Sequence, residues 1–233
     1  MKIEVVIESL EEAKYADSVN ADRVELCSAL DGGGLTPSFG LIKACVDACN
    51  LEVHAMIRHR AGHFYYNDAE IQIMLSDIEA AKNAGAHGVV FGVLNRQDEI
   101  NVEANKILLD KTKSLGMEAT CHRAIDHSRN QVESTNTVAE LGFDRILTSG
   151  GASRAIEGRD VIRQMAQKSA GRVQIMAGSG VDGNNAQELL RTGVDALHMS
   201  IRNAFPIYRD DQMGAIYGIN KTKMRAFLEA VNR

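Results

Sequence analysis

LGFDRILTSGG, residues Leu141–Gly151, carries the fold in miniature. Leu141-Gly142 reads as a helix end, because glycine accepts the left-handed conformation that terminates helices. Arg145–Thr148 is a short, largely apolar run of the kind that forms a buried strand. A glycine-rich loop follows at once. The same phrase returns in NADRVEL (Asn20–Leu26), NAGAHGVVF (Asn83–Phe91) and TGVDALHM (Thr192–Met199). Working outward, strand-like runs lie at Ile3–Ile7, Arg23–Cys27, Glu52–Arg58, Gly88–Val93, Glu118–His122, Arg145–Thr148, Val173–Ala177 and Ala196–Ser200. Amphipathic helical segments separate them, among them Ser9–Val19, Ser38–Asn50, Asp68–Asn83, Val102–Leu115, Gln131–Leu141, Arg154–Lys168 and Asn184–Arg191. This alternation predicts parallel pairing with right-handed crossovers. The reading is an α/β fold, a (β/α)8 TIM barrel with a C-terminal extension and helix, in one domain spanning 1–233. A doubly wound open sheet is the alternative; evenly spaced units fit closure better. Asn203–Gly218 reads as irregular, and a final helix is expected over Thr222–Val231.

The chain has 233 residues, ample for a full core in one domain. Its formal net charge of -5 and lack of any basic run argue against nucleic acid as a partner. No segment reaches the roughly 18 consecutive apolar residues of a membrane span. The opening MKIEVVIESLEE has acids where a signal sequence has an apolar core. A cytoplasmic protein is expected, with Cys27, Cys45, Cys49 and Cys121 as thiols. Cys45 and Cys49 share a helix face and read as small buried hydrophobes.

Strand alternation then assigns an interior. In KIEVVIES, Ile3, Val5 and Ile7 face the helices, leaving Glu4, Val6 and Glu8 inside. The same rule sends Arg23, Glu25, Cys27, His54, Met56, Arg58, Thr120, His122, His198 and Ser200 inward. Barrel cores are normally filled by Val, Ile and Leu. Unpaired buried charges cost several kcal/mol. Two readings of so polar an interior stay open: a self-satisfied network that only fills the barrel, or a ligand pocket. Glu25, Arg58, His122 and His198 are placed near the C-terminal mouth, where barrel enzymes build their sites.

Three glycine loops follow strands: DGGGLTPS (Asp31–Ser38), TSGG (Thr148–Gly151) and AGSGV (Ala177–Val181). Glycines let backbone N–H groups approach an anion. Ser149, Gly150, Gly151, Gly178, Gly180 and Ser200 are therefore candidate anion-binding residues, the last three after strands seven and eight. Thr36-Pro37 reads as a helix opening, with Thr36 as cap. For acid–base work the candidates are His122, Glu25, Asp126 and His198, with Arg58 and Arg123 suited to a carboxylate or phosphate. The strand runs contain no lysine, which argues against Schiff-base chemistry. Soft donors for copper(I) are Cys27 and Cys121 at strand ends, with Met56, His54, His122 and His198 nearby in the reading. No local spacing marks a metal site. His59 and His63 read as a solvated loop pair.

The stretches VELCSALDGGGLTPS (Val24–Ser38), MIR (Met56–Arg58), VVFGVL (Val89–Leu94), HRAID (His122–Asp126), RILTSGG (Arg145–Gly151), AGSGV and LHMS (Leu197–Ser200) resemble the CutC family over nearly the whole chain. The resemblance implies a TIM barrel, a cytoplasmic location, a homo-oligomer, a part in copper homeostasis, and copper(I) binding through cysteine, carried over here to Cys27. It implies no organic cofactor. The chain departs from the family pattern at His59, where a proline is usual, at His63, where an acid is usual, and at Cys121 beside His122. Two functions from different classes follow. One is a copper-handling protein whose partner is the copper ion. The other is an enzyme whose partner is a small phosphorylated or carboxylated metabolite.

Overall fold

The computed structural model describes residues 1–210, 212 and 214–233. Eight parallel strands close into a barrel: β1 (Lys2–Ile7), β2 (Arg23–Leu26), β3 (Glu52–Met56), β4 (Gly88–Phe91), β5 (Glu118–Cys121), β6 (Arg145–Thr148), β7 (Gln174–Ala177) and β8 (Ala196–Ser200). Around them run α1 (Leu10–Ser18), α2 (Phe39–Ala48), α3 (Asp68–Asn83), α4 (Val102–Ser114), α5 (Gln131–Leu141), α6 (Arg159–Ser169) and α7 (Ala186–Leu190). Every strand expected from the sequence is present, within a residue or two at its ends. The helix ends behave as read, with Asn20, Gly85, Gly142 and Gly193 all at positive φ. Among the described residues no helix is long and apolar enough to cross a membrane.

Two corrections concern the ends of elements. Thr36 does not cap α2; Ser38 does, its side chain accepting from Leu41 N–H at 3.2 Å. Thr36 Oγ1 instead accepts the Arg58 N–H at 2.9 Å and ties the β2–α2 loop to the end of β3. The segment read as irregular is a hairpin, β9 (Arg202–Asp210) with β10 (Gly214–Ile219), followed by α8 (Lys221–Ala230). Asp211 and Met213, which fall in that segment, lie outside the described residues.

Alternation sorts the barrel as expected. Ile3, Val5, Ile7, Val24, Leu26, Val53, Val89, Ile146, Ile175 and Leu197 join the helices in one large apolar layer. Only small apolar groups sit inside: Val6, Cys27, Met56 and Val90 in one, Leu147, Met176 and Ala196 in the other. Polar groups fill the rest. Register sets Glu4 between Arg23 of β2 and His198 of β8.

At the strand starts, Arg23 and Arg145 are both essentially fully buried. Arg23 is ion-paired to Glu4 and to Glu52. Arg145 donates to Glu118 Oε2 at 2.8 Å and to Thr120 Oγ1 at 3.1 Å. His54 lies between them with neither ring nitrogen hydrogen-bonded. Its ring is stacked so close on β4 that a Cβ on Gly88 would stand 2.4 Å from its Cε1. Burial and the two guanidinium charges push its pKa well down, so it is neutral.

Candidate functional site: a carboxyl–imidazole pair at the barrel mouth

At the C-terminal ends of the strands a cavity of about 230 Å³ opens, with Glu25, His122, His198, Gly180 and Ser200 in its wall. Val6, Met56 and Leu147 also line it. The sequence candidates among these, with Arg123, thus converge on one space.

The pair at its centre is Glu25 and His198. His198 Nδ1 stands 2.8 Å from Glu4 Oε1, and its Nε2 stands 3.7 Å from Glu25 Oε2. Behind Glu4 lies the Arg23 guanidinium. A fixed partner on Nδ1 orients the ring and sets the reactivity of Nε2. Burial alone would depress His198, but the Glu4 hydrogen bond and the charges of Glu25 and Glu4 outweigh it, and its pKa is raised. Burial would raise Glu4 too, yet Arg23 and His198 hold it well below the carboxylate range. Glu25 is pushed up to about 7, chiefly by burial, with the neighbouring Glu4 charge adding to it. Its Oε1 is buried and has no hydrogen-bond partner. Two carboxyls of one network are driven apart, one firmly ionised and one poised near neutrality. Carboxyls driven apart in this way are a pattern that acid–base sites use.

His122 plays a different part from the one expected. Its Nδ1 accepts the Ala124 N–H at 3.2 Å, so the proton sits on Nε2, which has no partner. Burial and the Arg58 and His127 charges hold its pKa down to about 3. It is a neutral hydrogen-bond donor, and the imidazole within ion-pair distance of Glu25 is that of His198.

Arg58 is brought to the rim but not into the cavity. Its Nη1 donates to the Gly32 and Gly34 carbonyls at 3.0 Å each, and its Nη2 to the Gly62 carbonyl at 2.8 Å. It pins the glycine loop after β2 to the loop after β3, so its fork is not turned to an anion in the mouth. It faces a second groove that shares Gly33, Phe64 and Arg123 with the first.

Asp126, Ser149, Gly150 and Gly151 come together, but with each other. Asp126 Oδ1 accepts from Thr148 Oγ1 at 2.5 Å and from the Ser149 and Gly151 N–H groups at 3.1 and 3.2 Å. Its Oδ2 accepts from Arg123 Nε at 2.8 Å and lies 2.9 Å from Ser149 Oγ. The Gly150 N–H goes to Thr148 Oγ1. The anion held by the TSGG loop is thus the chain's own carboxylate, and Asp126 has no free lone pair for proton transfer. Gly178 serves packing: a Cβ there would stand 2.5 Å from Leu147 Cδ1.

The two cysteines part company. Cys27 faces the barrel interior beside Val6 and Met56, whereas Cys121 belongs to the outer layer under the helices. Burial, with the Glu25, Glu8 and Glu4 charges, raises the Cys27 thiol well above its ordinary value. Burial, with Asp126, raises Cys121 to about 12. Copper(I) is ligated by thiolate. Two thiols on opposite faces of the sheet cannot reach one ion, so the cysteine pair does not fit a shared copper site. Of the loop histidines, His59 Nε2 lies 3.3 Å from Glu70 and His63 is stacked on Tyr65. Glu52, His54 and Glu118 are the one grouping of metal-type donors among the described residues, and Arg23, Arg145 and Lys2 already pair its carboxylates.

Lys223 of α8 was not foreseen. It lines the cavity, and its Nζ donates to the Ser200 carbonyl at 2.6 Å. A helix pattern in the sequence shows no sign that α8 reaches the mouth.

The model of the CutC family matches residues 1–203. A CutC-family protein of Pasteurella multocida is 42% identical over 201 residues, covering 86% of this chain and 82% of the relative. This chain belongs to the CutC family. A second CutC-family protein, from Aliivibrio fischeri, is 44% identical over 207 residues, covering 88% and 84%. Among solved structures, the CutC protein of Streptococcus agalactiae superposes with a TM-score of 0.79 at 34% identity, over 85% of this chain and 97% of that one. A 3-hexulose-6-phosphate synthase superposes with a TM-score of 0.66 at 15% identity, a likeness of fold alone. The CutC family match ends at the start of β9, so most of the hairpin and all of α8 lie beyond it.

Proposed function

We propose that this CutC-family chain is an enzyme that moves a proton on a small anionic metabolite held in the barrel mouth. The observation that carries the reading is the Glu25–His198–Glu4 array, whose outer end opens on the cavity while its inner end is anchored on Arg23. Glu25 and His198 exchange the proton. The neutral His122 polarises an oxygen of the substrate through its Nε2–H, an arrangement in which an imidazole acts as donor without carrying charge. The low-dielectric walls strengthen each of these contacts.

The test is a solvent-deuterium exchange screen. Small phosphorylated and carboxylated metabolites are incubated with protein in D2O and read by proton NMR. At least one compound takes up deuterium, and Glu25→Gln and His198→Asn each slow uptake by about 10²–10⁴-fold, the usual worth of a general acid or base. If nothing exchanges, and none of the compounds raises the melting temperature by mass action, the reading fails.

Copper homeostasis enters from the name of the streptococcal relative. Its best support in this chain is Cys27, whose Sγ and the Met56 Cε both lie against Gly34 below the mouth. Anaerobic copper(I) titration against a competing chelator tests it. Stoichiometric binding that Cys27→Ser abolishes and Cys121→Ser spares supports the role; weak binding indifferent to both removes it. A cytoplasmic location and a homo-oligomer belong to the same proposal, the latter read by light scattering.

A further inference from the structure

We propose that the mouth holds its substrate by a phosphate monoester seated on the backbone of Ser179–Val181, the Ser200 hydroxyl and Lys223. The inference rests on the reading of the mouth as a metabolite site and names the group that anchors the metabolite.

Three independent features meet there. The first is a run of vacant donors. The loop after β7 turns through two successive left-handed residues, Ser179 at φ 81° and Gly180 at φ 65°. Ser179, Gly180 and Val181 line the cavity, and backbone N–H groups of a tight loop are a ready anion site. Among the described residues, the N–H groups of Ser179, Gly180 and Val181 donate to no protein acceptor, although Val181 is buried. Buried backbone donors are nearly always paired, and an orphan asks for a partner. The TSGG loop next door shows what such a loop does when it has one: it wraps the Asp126 carboxylate.

The second is charge. Lys223 is half-buried, and burial lowers its pKa. Its Nζ meets only the neutral Ser200 carbonyl, leaving two N–H vectors at the cavity wall. Asp182 is the acid that bears on it, and that carboxylate already accepts the Asn184 N–H at 2.9 Å and faces Arg154 at 3.6 Å. A dianion would restore the charge balance that burial disturbs.

The third is the Ser200 hydroxyl. Its oxygen accepts the Arg202 N–H at 3.2 Å, and its hydrogen is left for a ligand.

The donors are three amides, a hydroxyl and an ammonium, contributed by the loop after β7, the end of β8 and α8. They suit the three terminal oxygens of a phosphate. Loops after strands seven and eight are a frequent phosphate seat in this fold. With about 230 Å³ available, below the usual pocket range of roughly 300–1,000 Å³, the ester is a small one, near triose or tetrose size. Its carbon chain then occupies the rest of the cavity, which Glu25, His198 and His122 also line. Lys223 lies outside the stretch matched by the family model, so the C-terminal helix completes the site.

Inorganic phosphate is the probe, titrated into the whole chain by calorimetry at pH 7.5 and followed by amide NMR. Saturable binding is expected, with the largest shifts at the amides of residues 179–181. Lys223→Met weakens it by at least 10-fold and Ser200→Ala by several-fold, while Lys221→Met, on the exposed side of α8, leaves it within 2-fold. The NMR arm on the unaltered chain holds even if Lys223→Met does not fold. No binding, or shifts centred elsewhere, overturns the seat. Deuterium exchange into an unphosphorylated carboxylate without phosphate binding overturns the seat alone. Phosphate binding that needs Lys223, with no compound exchanging, sustains the seat and overturns the acid–base reading.

Discussion

The two ends of the barrel interior are built from the same residue types and reach opposite states. At the strand starts, Arg23 and Arg145 are matched by Glu4, Glu52 and Glu118, and the buried His54 among them is held neutral. At the strand ends, Glu25 and His198 are matched only to each other and to Glu4, and an open cavity meets them. The difference lies in the cations. Arginine stays charged at any physiological pH and locks its carboxylate partners ionised. Histidine beside a buried carboxyl leaves a proton to be shared. Of the two readings left open by the sequence, the self-satisfied network describes the strand starts, and the ligand pocket is the one proposed for the mouth.

Breaking the closed end costs most. Arg23→Met strands the fully buried Glu4 carboxylate, and chemical unfolding should show a loss of about 3–5 kcal/mol. Adding Glu4→Gln should recover much of it; if it does not, the pair is not the stabilising unit. Next comes Gly88→Ala, which drives a methyl into the His54 ring and should cost about 1–3 kcal/mol as an overpacked core. Combined with His54→Ala the two changes should be clearly non-additive, since one removes the other's clash. An additive result would mean the ring moves freely.

At the open end the expected effect is smaller and depends on pH. Glu25 rises from 4.5 to about 7, and His198 is raised too, so both bind protons more tightly folded than unfolded. Stability from the pair is full below about pH 4.5 and is lost as pH climbs through 7. Glu25→Gln removes the Glu25 share of that slope. Its stability relative to the unaltered chain should therefore increase from pH 4.5 to 8, by on the order of 2 kcal/mol. A pH-independent difference would show that Glu25 is not held as an acid in a dry site.

How much of this was legible follows from which interactions are local. The strands and helices were, because Asn20, Gly85, Gly142 and Gly193 mark helix ends and the strand period fixes which side is wet. Glu25, His198 and His122 were placed at the mouth by that period alone. The hairpin was missed because Phe205, Ile207, Tyr208 and Ile216 are all exposed and follow no buried-face pattern. Arg58 was misjudged because its acceptors are loop carbonyls, which every sequence possesses and none advertises. The TSGG loop and Asp126 were read as separate parts. Only the fold brings them together, and it turns two anion-handling features into one filled cradle.

The join between β1 and β8 has a consequence for how the molecule comes into being. Glu4 rides on the strand that begins the barrel and His198 on the one that seals it, and their hydrogen bond crosses that seam. Zippering the seam and orienting the His198 imidazole are a single event. Such distant partners meet late in folding. A partly assembled chain would carry Glu4 and Glu25 without their histidine, and the Glu4–His198 hydrogen bond exists only when the ring of strands is whole.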